Sequence, residues 1–390
     1  MSQKFIPLSV PNLKGKELEY VTHAVETEWV STGGPYVSQF EEKVAEYSKS
    51  KGAVSCQNGT SGLHIALEVC GVEKGDEVIV PTLTFIAAVN PVKYIGAEPI
   101  FMDCDDSLTM DVNKLKDFCE YECSFIGNKL INRITKKHIK ALIVVHVFGN
   151  MADMESLIGV ADKYNLKIIE DATEAIGTFY LEGKYNGKHA GTIGDIGVYS
   201  FNGNKIMTTG GGGMIVSDNE ELLKKAKHLT TQAKSDELYF IHDEIGYNYR
   251  MTNLQAALGL AQLEQLEEFI EVKKNNYNFY KKEIQKIPGL KILNFKESIR
   301  PNYWFYALHV GPEYTLDRDQ VIHYLASNRI QARPIWGLIS DQKPYKKNQT
   351  YRIEKARYYL GKIVNIPCSS NLTKEDVEYV IECLVNPEMV

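Results

Sequence analysis

The sequence predicts an α/β fold in which a mostly parallel central sheet is sandwiched by helices and is followed by a smaller α+β C-terminal domain. Short β-branched runs alternate with helical patterns through the first half of the chain, which is typical of a parallel sheet covered on both faces. The length of 390 residues also exceeds the usual size of a single core. We therefore expect an N-terminal arm at 1–14, a large domain at 15–255, and a bridging helix with the small domain at 256–390.

The predicted elements begin after an arm that contains two prolines. Apolar residues at helical spacing, such as Leu18, Val21 and Val25, predict the first helix at Lys16–Trp29. The elements that follow are a helix at Val37–Ser48, a strand at Ala53–Cys56, a helix at Leu63–Cys70, a strand at Glu77–Pro81, a helix at Phe85–Tyr94, strands at Pro99–Asp103 and Ala141–His146, a helix at Met154–Tyr164, and strands at Lys167–Asp171, Ile196–Phe201 and Met214–Val216. The polar connection at 111–140 fits either a surface excursion or a hairpin.

Beyond Val216 the pattern becomes mainly helical. The later elements are helices at Glu220–His228 and Asn253–Val272, a strand at Tyr303–Val310, and helices at Asp317–Asn328 and Lys374–Leu384. The helix from Asn253 is strongly amphipathic and continues towards Ile284. We expect it to bridge the two domains.

Composition indicates a globular cytoplasmic protein. Hydrophobic residues make up 44% and charged residues 24% of the chain, as is ordinary for globular proteins. The net charge of -6 argues against a nucleic-acid partner. We expect no membrane segment, since no apolar run approaches about 20 residues, and no signal peptide. The seven scattered cysteines indicate reduced thiols, and Cys119 with Cys123 has no second pair at metal-site spacing.

The stretch 199–214, YSFNGNKIMTTGGGGM, places Lys205 in a polar turn between a strand and four consecutive glycines. A glycine run lets the backbone approach a ligand closely. A desolvated lysine loses its proton readily and can form a Schiff base with an aldehyde. On this stretch alone, a solvated surface lysine in a glycine-rich turn is the commoner case.

A second candidate is the turn QNGTSG at 57–62, which follows a strand and opens a helix. Free N–H groups and the helix dipole both favour a phosphate at such a place. The same residues also make an ordinary N-cap. The turn by itself leaves both interpretations open.

Four further side chains fall at or just beyond the carboxyl ends of predicted strands, where ligands of such sheets bind: Phe85, His146, Asp171 and Ser200. An acidic residue there can keep a pyridine nitrogen protonated, and Phe85 can stack on a flat ring. Together with a Schiff-base lysine and a phosphate turn, these features meet the requirements of pyridoxal 5'-phosphate.

A specific combination of segments occurs in this order: WVSTGGPYVSQFEE, CQNGTSGLHIAL, DEVIVPTLTFIAAVNPVKYIGAEPIFMD, VVHVFGN, IIEDATEAIG, GDIGVYSFNGNKIMTTGGGGM and GYNYRMTNLQAALGLAQL. Through them the chain resembles, essentially end to end, the DegT/DnrJ/EryC1/StrS family of sugar aminotransferases. The resemblance implies the fold-type I pyridoxal-phosphate fold, with 15–255 as the cofactor-binding domain. It also implies an obligate homodimer whose active sites are shared between subunits.

The resemblance assigns the central chemistry to Lys205 and Asp171. Lys205 would carry the cofactor and shuttle protons, and Asp171 would meet the pyridine nitrogen. Two positions depart from the family pattern. Glu174 stands near the ring hydroxyl where the family usually has Gln or His, and Gly211 replaces the usual Glu of a TTGEGG pattern.

The resemblance also implies a set of cofactor-holding residues. Thr60 and Ser61 would hold the phosphate together with Ser200. Phe85 would stack on the ring. Asn248 matches an asparagine that reaches the phosphate from the neighbouring subunit.

The implied reaction moves an amino group from L-glutamate to C4 of a nucleotide-linked 4-keto-6-deoxy sugar that bears a 2-acetamido group. The start FIPLSVP, the connection at 111–140 and the segment EDATEAIG most resemble the legionaminic-acid-pathway type. The turn at 32–35 could line an entrance for a sugar nucleotide. Alternatives are an aminotransferase for 3-keto sugars, a sugar dehydratase, and a regulatory relative without turnover. Dehydratase relatives carry His in place of the lysine, so Lys205 speaks against that alternative.

Overall fold

The computed structural model describes residues 4–387 of the chain. Its α-helices are α1 Glu17–Glu26, α2 Pro35–Ser48, α3 Gly59–Val69, α4 Asn90–Tyr94, α5 Val112–Asp117, α6 Met154–Tyr164, α7 Glu220–Thr230, α8 Asn253–Glu264, α9 Leu266–Ile284, α10 Arg318–Ser327, α11 Lys355–Leu360 and α12 Lys374–Val385. Within the described residues, no helix is both long and apolar enough to cross a membrane.

The strands are β1 Gly52–Cys56, β2 Glu77–Pro81, β3 Glu98–Met102, β4 Cys123–Ile126, β5 Lys129–Asn132, β6 His138–Val145, β7 Lys167–Asp171, β8 Phe179–Tyr180, β9 Ile196–Ser200, β10 Gly213–Ser217, β11 Lys234–Asp236, β12 Ile241–His242, β13 Leu290–Ile292, β14 Ile299–Arg300, β15 Tyr306–Val310, β16 Arg333–Pro334, β17 Thr350–Tyr351 and β18 Ile363–Ile366. Most predicted strands therefore lie within a few residues of their observed bounds.

The central sheet has the strand order β1-β10-β9-β7-β6-β2-β3-β17. All neighbours from β9 to β17 are parallel, whereas β10 is antiparallel to both β9 and β1. Helices α2, α3, α4, α6 and α7 pack against this sheet, and the predicted α/β class with a mostly parallel sheet is confirmed. Because β10 reverses the direction twice, β1 points the same way as β9. The carboxyl ends of β1, β6, β7 and β9 consequently lie at one edge.

The connection at 111–140 contains the hairpin that the sequence left open. Its strands β4 and β5 pair with each other, and β5 pairs with the first residues of β6. A short helix, α5, and a π-helical turn at Phe118–Glu122 precede the hairpin. The connection thus extends the central sheet.

The second half of the chain forms a four-stranded antiparallel sheet in the order β13-β15-β18-β16. Helices α9 and α10 pack on it. The N-terminal arm lies against the same region, since the Ile6 N–H donates to the Arg329 carbonyl at 2.9 Å and the Cys368 N–H donates to the Leu8 carbonyl at 2.8 Å. Residues 1–3 of the predicted arm and 388–390 of the predicted small domain lie outside the described residues. The domain boundaries themselves stay predictions.

Two predicted helices differ from the structure. The segment Phe85–Tyr94 forms a single 3-10 turn, Ile86–Ala88, followed by the separate short helix α4. Pro91 lies in the first turn of α4, where its missing N–H costs nothing, but a proline cannot continue a helix. The long helix from Asn253 is divided into α8 and α9 at Gln265, whose side-chain amide donates to Glu17 at 2.6 Å.

Candidate active site

A cavity of about 320 Å³ opens at the edge where the central strands end. Its lining residues are Asn58, Gly59, Thr60, Leu63, Thr84, Phe85, Ala87, Ala88, Asp171, Thr173, Glu174, Ser200, Asn202, Asn204, Lys205, Trp304, Phe305 and Trp336. Six of the eight predicted site residues are therefore brought together in one place. Ser61 and Asn248 are not among the lining residues.

Lys205 lies in the turn between β9 and β10. Its N–H donates to the Asn202 carbonyl at 3.0 Å, and the Thr209 N–H donates to the Phe201 carbonyl at 2.9 Å, which closes the loop. The Lys205 side chain is 13% exposed, so it is not the solvated surface lysine that the stretch alone allowed.

The Lys205 amine has an acidic neighbour and an aromatic neighbour. Its Nζ lies 3.8 Å from Glu174 Oε1 and 4.2 Å from the centroid of the Trp304 ring. Burial lowers the pKa of Lys205, because the charged ammonium loses water, while the charges of Glu174 and Asp171 oppose that shift. The amine is thus more easily deprotonated than a solvated lysine and remains next to groups that stabilise its ammonium form.

Glu174 is a buried carboxyl group held by the backbone of Phe148. The Phe148 N–H donates to Glu174 Oε2 at 2.8 Å, which leaves Oε1 facing Lys205. Phe148 is a non-glycine residue with φ 59°, an uncommon conformation that costs free energy and is typical of functional sites. Burial raises the pKa of Glu174 to about 7, although the Lys205 charge and the Phe148 N–H lower it.

Asp171 ends strand β7 and is buried in the floor of the cavity. It accepts a hydrogen bond from the Thr173 N–H at 3.1 Å, and burial raises its pKa. The preceding residue, Glu170, points to the opposite face, where it accepts from His146 Nε2 at 2.8 Å and from the Gly191 N–H at 2.8 Å. His146 therefore supports β7 from behind and is not among the cavity-lining residues.

The QNGTSG turn forms both an N-cap and one wall of the cavity. Helix α3 begins at Gly59, four residues earlier than predicted, with Asn58 as its N-cap. Asn58 and Ser61 form a capping box in which the Ser61 N–H donates to Asn58 Oδ1 at 2.8 Å and the Asn58 N–H donates to the Ser61 hydroxyl at 3.3 Å. The Ser61 hydroxyl also donates to the Asn58 carbonyl at 2.8 Å. The N–H groups of Gly59 and Thr60 belong to the first turn, which has no acceptors within the helix.

The other predicted residues differ in their exposure. Phe85 lines the cavity and is 54% exposed, which excludes the core position that a lone phenylalanine would usually take. Ser200 lines the cavity and accepts weakly from the Asn202 N–H at 3.4 Å. Asn248 is exposed. The next residue, Tyr249, connects this segment to the QNGTSG turn, since its carbonyl accepts from the Gln57 N–H at 2.7 Å.

One wall of the cavity is aromatic, and its residues were not among the predicted site residues. Trp304 and Phe305 stack with ring centroids 3.9 Å apart, and Trp336 packs 4.9 Å from Phe148. Two of the three tryptophans in the chain thus line the cavity. The aromatic run YWFY at 303–306 is a usable signal, but it falls within the strand predicted at Tyr303–Val310. That strand, β15, begins later, at Tyr306.

Comparison with known proteins establishes the family of this chain. The family model described as "DegT/DnrJ/EryC1/StrS aminotransferase family" matches residues 11–385. The chain belongs to this family. A family model that covers nearly the whole described chain confirms the resemblance on which the site assignments were based.

Individual relatives and solved structures also support membership of this family. A GDP-perosamine synthase of Escherichia coli O157:H7 is 38% identical over 98% of this chain and 98% of its own length. The putative pyridoxal phosphate-dependent aminotransferase EpsN of Bacillus subtilis is 34% identical over 98% of this chain and 96% of its own. A crystal structure of a DegT DnrJ EryC1 StrS aminotransferase from Brucella abortus has a TM-score of 0.85 at 25% identity, covering 95% of this chain and 94% of that one. The expected closeness to the legionaminic-acid type is not confirmed.

Proposed function

We propose that this protein is a pyridoxal-phosphate-dependent aminotransferase that acts on a nucleotide-linked keto-sugar. The observation that carries the proposal is the Lys205 amine, which is buried beside Glu174 and Asp171 in a cavity that also contains the first turn of helix α3. Membership of an aminotransferase family supports the reaction class.

The residues present fit this cofactor. Lys205 offers a buried amine for its aldehyde, and Asp171 offers a carboxylate for its ring nitrogen. The Thr60 hydroxyl and the N–H groups at the start of α3 suit its phosphate. A Cβ at Gly59 would lie 2.8 Å from Thr173 Cγ2 and 3.1 Å from Ser200 Cβ, so this cradle requires glycine at its base.

The reaction relies on the positions of these side chains. When bound, pyridoxal phosphate supplies the carbonyl that carries the amino group and a ring that withdraws electrons. Lys205 Nζ releases a proton more readily than a solvated lysine because burial disfavours its charge. Glu174 Oε1, 3.8 Å away, stabilises the protonated form of that amine. Asp171, buried in the floor, supplies negative charge for a protonated ring nitrogen.

For the substrates, we propose L-glutamate as the amino donor and C4 of a 4-keto-6-deoxy sugar as the acceptor, with the 2-acetamido group as a further feature. The relative named GDP-perosamine synthase supports a nucleotide-linked amino sugar as the product and favours GDP as the carrier. The alternatives are a 3-keto sugar, a dehydratase and a regulatory role. The presence of Lys205 argues against the dehydratase, and an intact set of Lys205, Asp171 and Thr60 argues against a role without turnover.

Borohydride trapping tests the cofactor assignment. Reduction of the purified protein followed by peptide mapping is expected to place the label on Lys205, and Lys205→Ala should lose turnover while still binding the cofactor without a covalent bond. Lys188→Ala, at a partly exposed lysine paired with Asp218, is the control. Label on a lysine other than Lys205 contradicts the assignment.

A substrate panel tests the finer proposal. The protein is incubated with glutamate and with GDP- and UDP-linked keto-sugars that have the ketone at C3 or C4, each with and without a 2-acetamido group, while 2-oxoglutarate is measured. Activity confined to 3-keto sugars or to 2-oxo acids would refute the substrate and leave the aminotransferase assignment in place.

We also propose that the active site is shared in a homodimer, with Asn248 reaching the partner's cofactor phosphate. Its exposure, and its absence from the cavity lining of its own chain, are consistent with this role. Mixed dimers of inactive Lys205→Ala and inactive Asn248→Ala chains are expected to recover part of the activity. No recovery on mixing would place both residues in the site of one chain.

A further inference from the structure

The two neighbours of the Lys205 amine come from distant parts of the chain. Glu174 follows β7 in the large sheet, whereas Trp304 precedes β15 in the small one. Their distances to Lys205 Nζ, 3.8 Å to the carboxylate and 4.2 Å to the ring centroid, depend on how the two segments are held together. One buried side chain, Asn302, bonds to both.

All three hydrogen bonds of the Asn302 side chain go to backbone groups around the site. Its Nδ2 donates to the Glu174 carbonyl at 2.8 Å and to the Ile176 carbonyl at 3.0 Å, and its Oδ1 accepts from the Trp304 N–H at 3.0 Å. The reverse amide orientation would place oxygen against two carbonyls and NH2 against an N–H, so the partners determine the orientation.

Asn302 also contacts the turn that binds the Glu174 carboxylate. A Cβ at Gly149 would lie 1.9 Å from Asn302 Oδ1, so the Phe148–Gly149 turn packs directly against the amide. Thr178 completes the connection, since its Oγ1 accepts from the Asn302 N–H at 3.0 Å and donates to the Gly149 carbonyl at 2.9 Å. Both the backbone of Glu174 and the turn beside its carboxylate therefore rest on Asn302.

We propose that Asn302 is a positioning residue that holds the Glu174 carboxylate and the Trp304 ring around the Lys205 amine. It is not among the cavity-lining residues, so it acts through the residues it binds. The proposal deepens the proposed function and rests on the role of Lys205 in it. In this proposal, Asn302, in the segment before β15, influences the pKa of Lys205, which lies between β9 and β10 of the central sheet.

The expected consequence is a lower pKa for Lys205 when Asn302 is lost. The Glu174 charge and the Trp304 ring both stabilise the ammonium form, and both interactions weaken with distance. Asp171, the other carboxylate that acts on the amine, stays on β7 and is unaffected. A displacement of Glu174 by about 2 Å corresponds to a fall of about one pH unit.

The test uses Asn302→Ala with Asn132→Ala as the matched control. Asn132 is equally buried, donates through Nδ2 to Glu77 at 2.8 Å and to Gln349 at 2.6 Å, and accepts from the Ile134 N–H at 3.0 Å. Two readouts are followed against pH: acetic anhydride labelling of Lys205 in the full-length protein freed of cofactor, and the absorbance of the cofactor-loaded protein. We expect both midpoints to fall by about one unit in Asn302→Ala and to remain unchanged in Asn132→Ala. Unchanged or raised midpoints in Asn302→Ala overturn the proposal.

A milder pair of variants covers the case in which Asn302→Ala does not fold. Thr178→Val removes the hydroxyl that bonds the Asn302 N–H while keeping the shape, and Thr178→Ser restores it. A lower midpoint in Thr178→Val together with a normal one in Thr178→Ser supports the proposal, and equal midpoints in both overturn it. Borohydride trapping on Lys205 is measured in parallel. Its failure in the native protein would refute the proposed function, whereas normal trapping without a shift would refute the role of Asn302 alone.

Discussion

Glu174→Gln is the substitution that most directly tests the electrostatics of the site. It removes the negative charge 3.8 Å from Lys205 Nζ and keeps nearly the same shape. At an effective dielectric constant of about 20, two unit charges at this distance interact by about 4 kcal/mol, which corresponds to about three pKa units. Since Asp171 and the Trp304 ring remain, we expect the pKa of Lys205 to fall by about one to three units.

The assay measures Lys205 itself. Only the unprotonated amine reacts with acetic anhydride, so labelling is followed by peptide mapping from pH 6 to pH 11 in protein freed of cofactor. Glu155→Gln, which removes an exposed carboxylate on α6, is the control for the change in net charge and should leave the midpoint unchanged.

The outcome distinguishes two physical descriptions of the site. A lower labelling midpoint in Glu174→Gln shows that the carboxylate stabilises the ammonium form. An unchanged or higher midpoint would refute the reasoning, because it would mean that Glu174 is neutral, or screened by water, over the range in which Lys205 titrates.

Three further predictions concern the cofactor cradle and the pH dependence of stability. Gly59→Ala should weaken pyridoxal-phosphate binding at least about tenfold, because its Cβ would lie 2.8 Å from Thr173. Gly211→Ala, whose Cβ would have no atom nearer than 3.5 Å, should not weaken binding. Fluorescence titration with the cofactor compares the two variants, and equal losses of affinity would contradict this account. Phe85→Ala should also weaken cofactor binding but change unfolding free energy by less than about 0.5 kcal/mol, since the ring is half exposed; urea unfolding checks this, and a large loss would place the ring in the core. Burial raises the pKa of Glu174 from 4.5 to about 7, so between these values the native state holds a proton that the unfolded state has released, and stability falls as the pH rises through that window. The unfolding free energy of Glu174→Gln minus that of the native protein should therefore be greater at pH 8 than at pH 4, by up to about 3 kcal/mol in urea unfolding. The reverse order would show that the carboxyl is ionised throughout this pH range in the native state.

The sequence determined the features that depend on short-range pattern. Alternating β-branched runs and helical spacing indicated a parallel sheet. The carboxyl ends of its predicted strands indicated the edge at which Phe85, Asp171, Ser200 and Lys205 meet. The cofactor assignment followed from residue chemistry, since a lysine, an acid and a phosphate turn have few other uses in combination. These inferences succeeded because each rests on residues within one element or at its end.

Tertiary structure alone decided what happens between distant segments. It showed that Trp304 covers the Lys205 amine, that Phe148 directs an N–H to Glu174, and that Ser61 is engaged in a capping box. It also showed that the long helix is divided at Gln265, whose side chain donates a hydrogen bond to Glu17 of α1. Each of these contacts joins residues whose local sequences give no sign of one another, because side-chain packing and hydrogen bonding across the core depend on three-dimensional position and not on spacing along the chain.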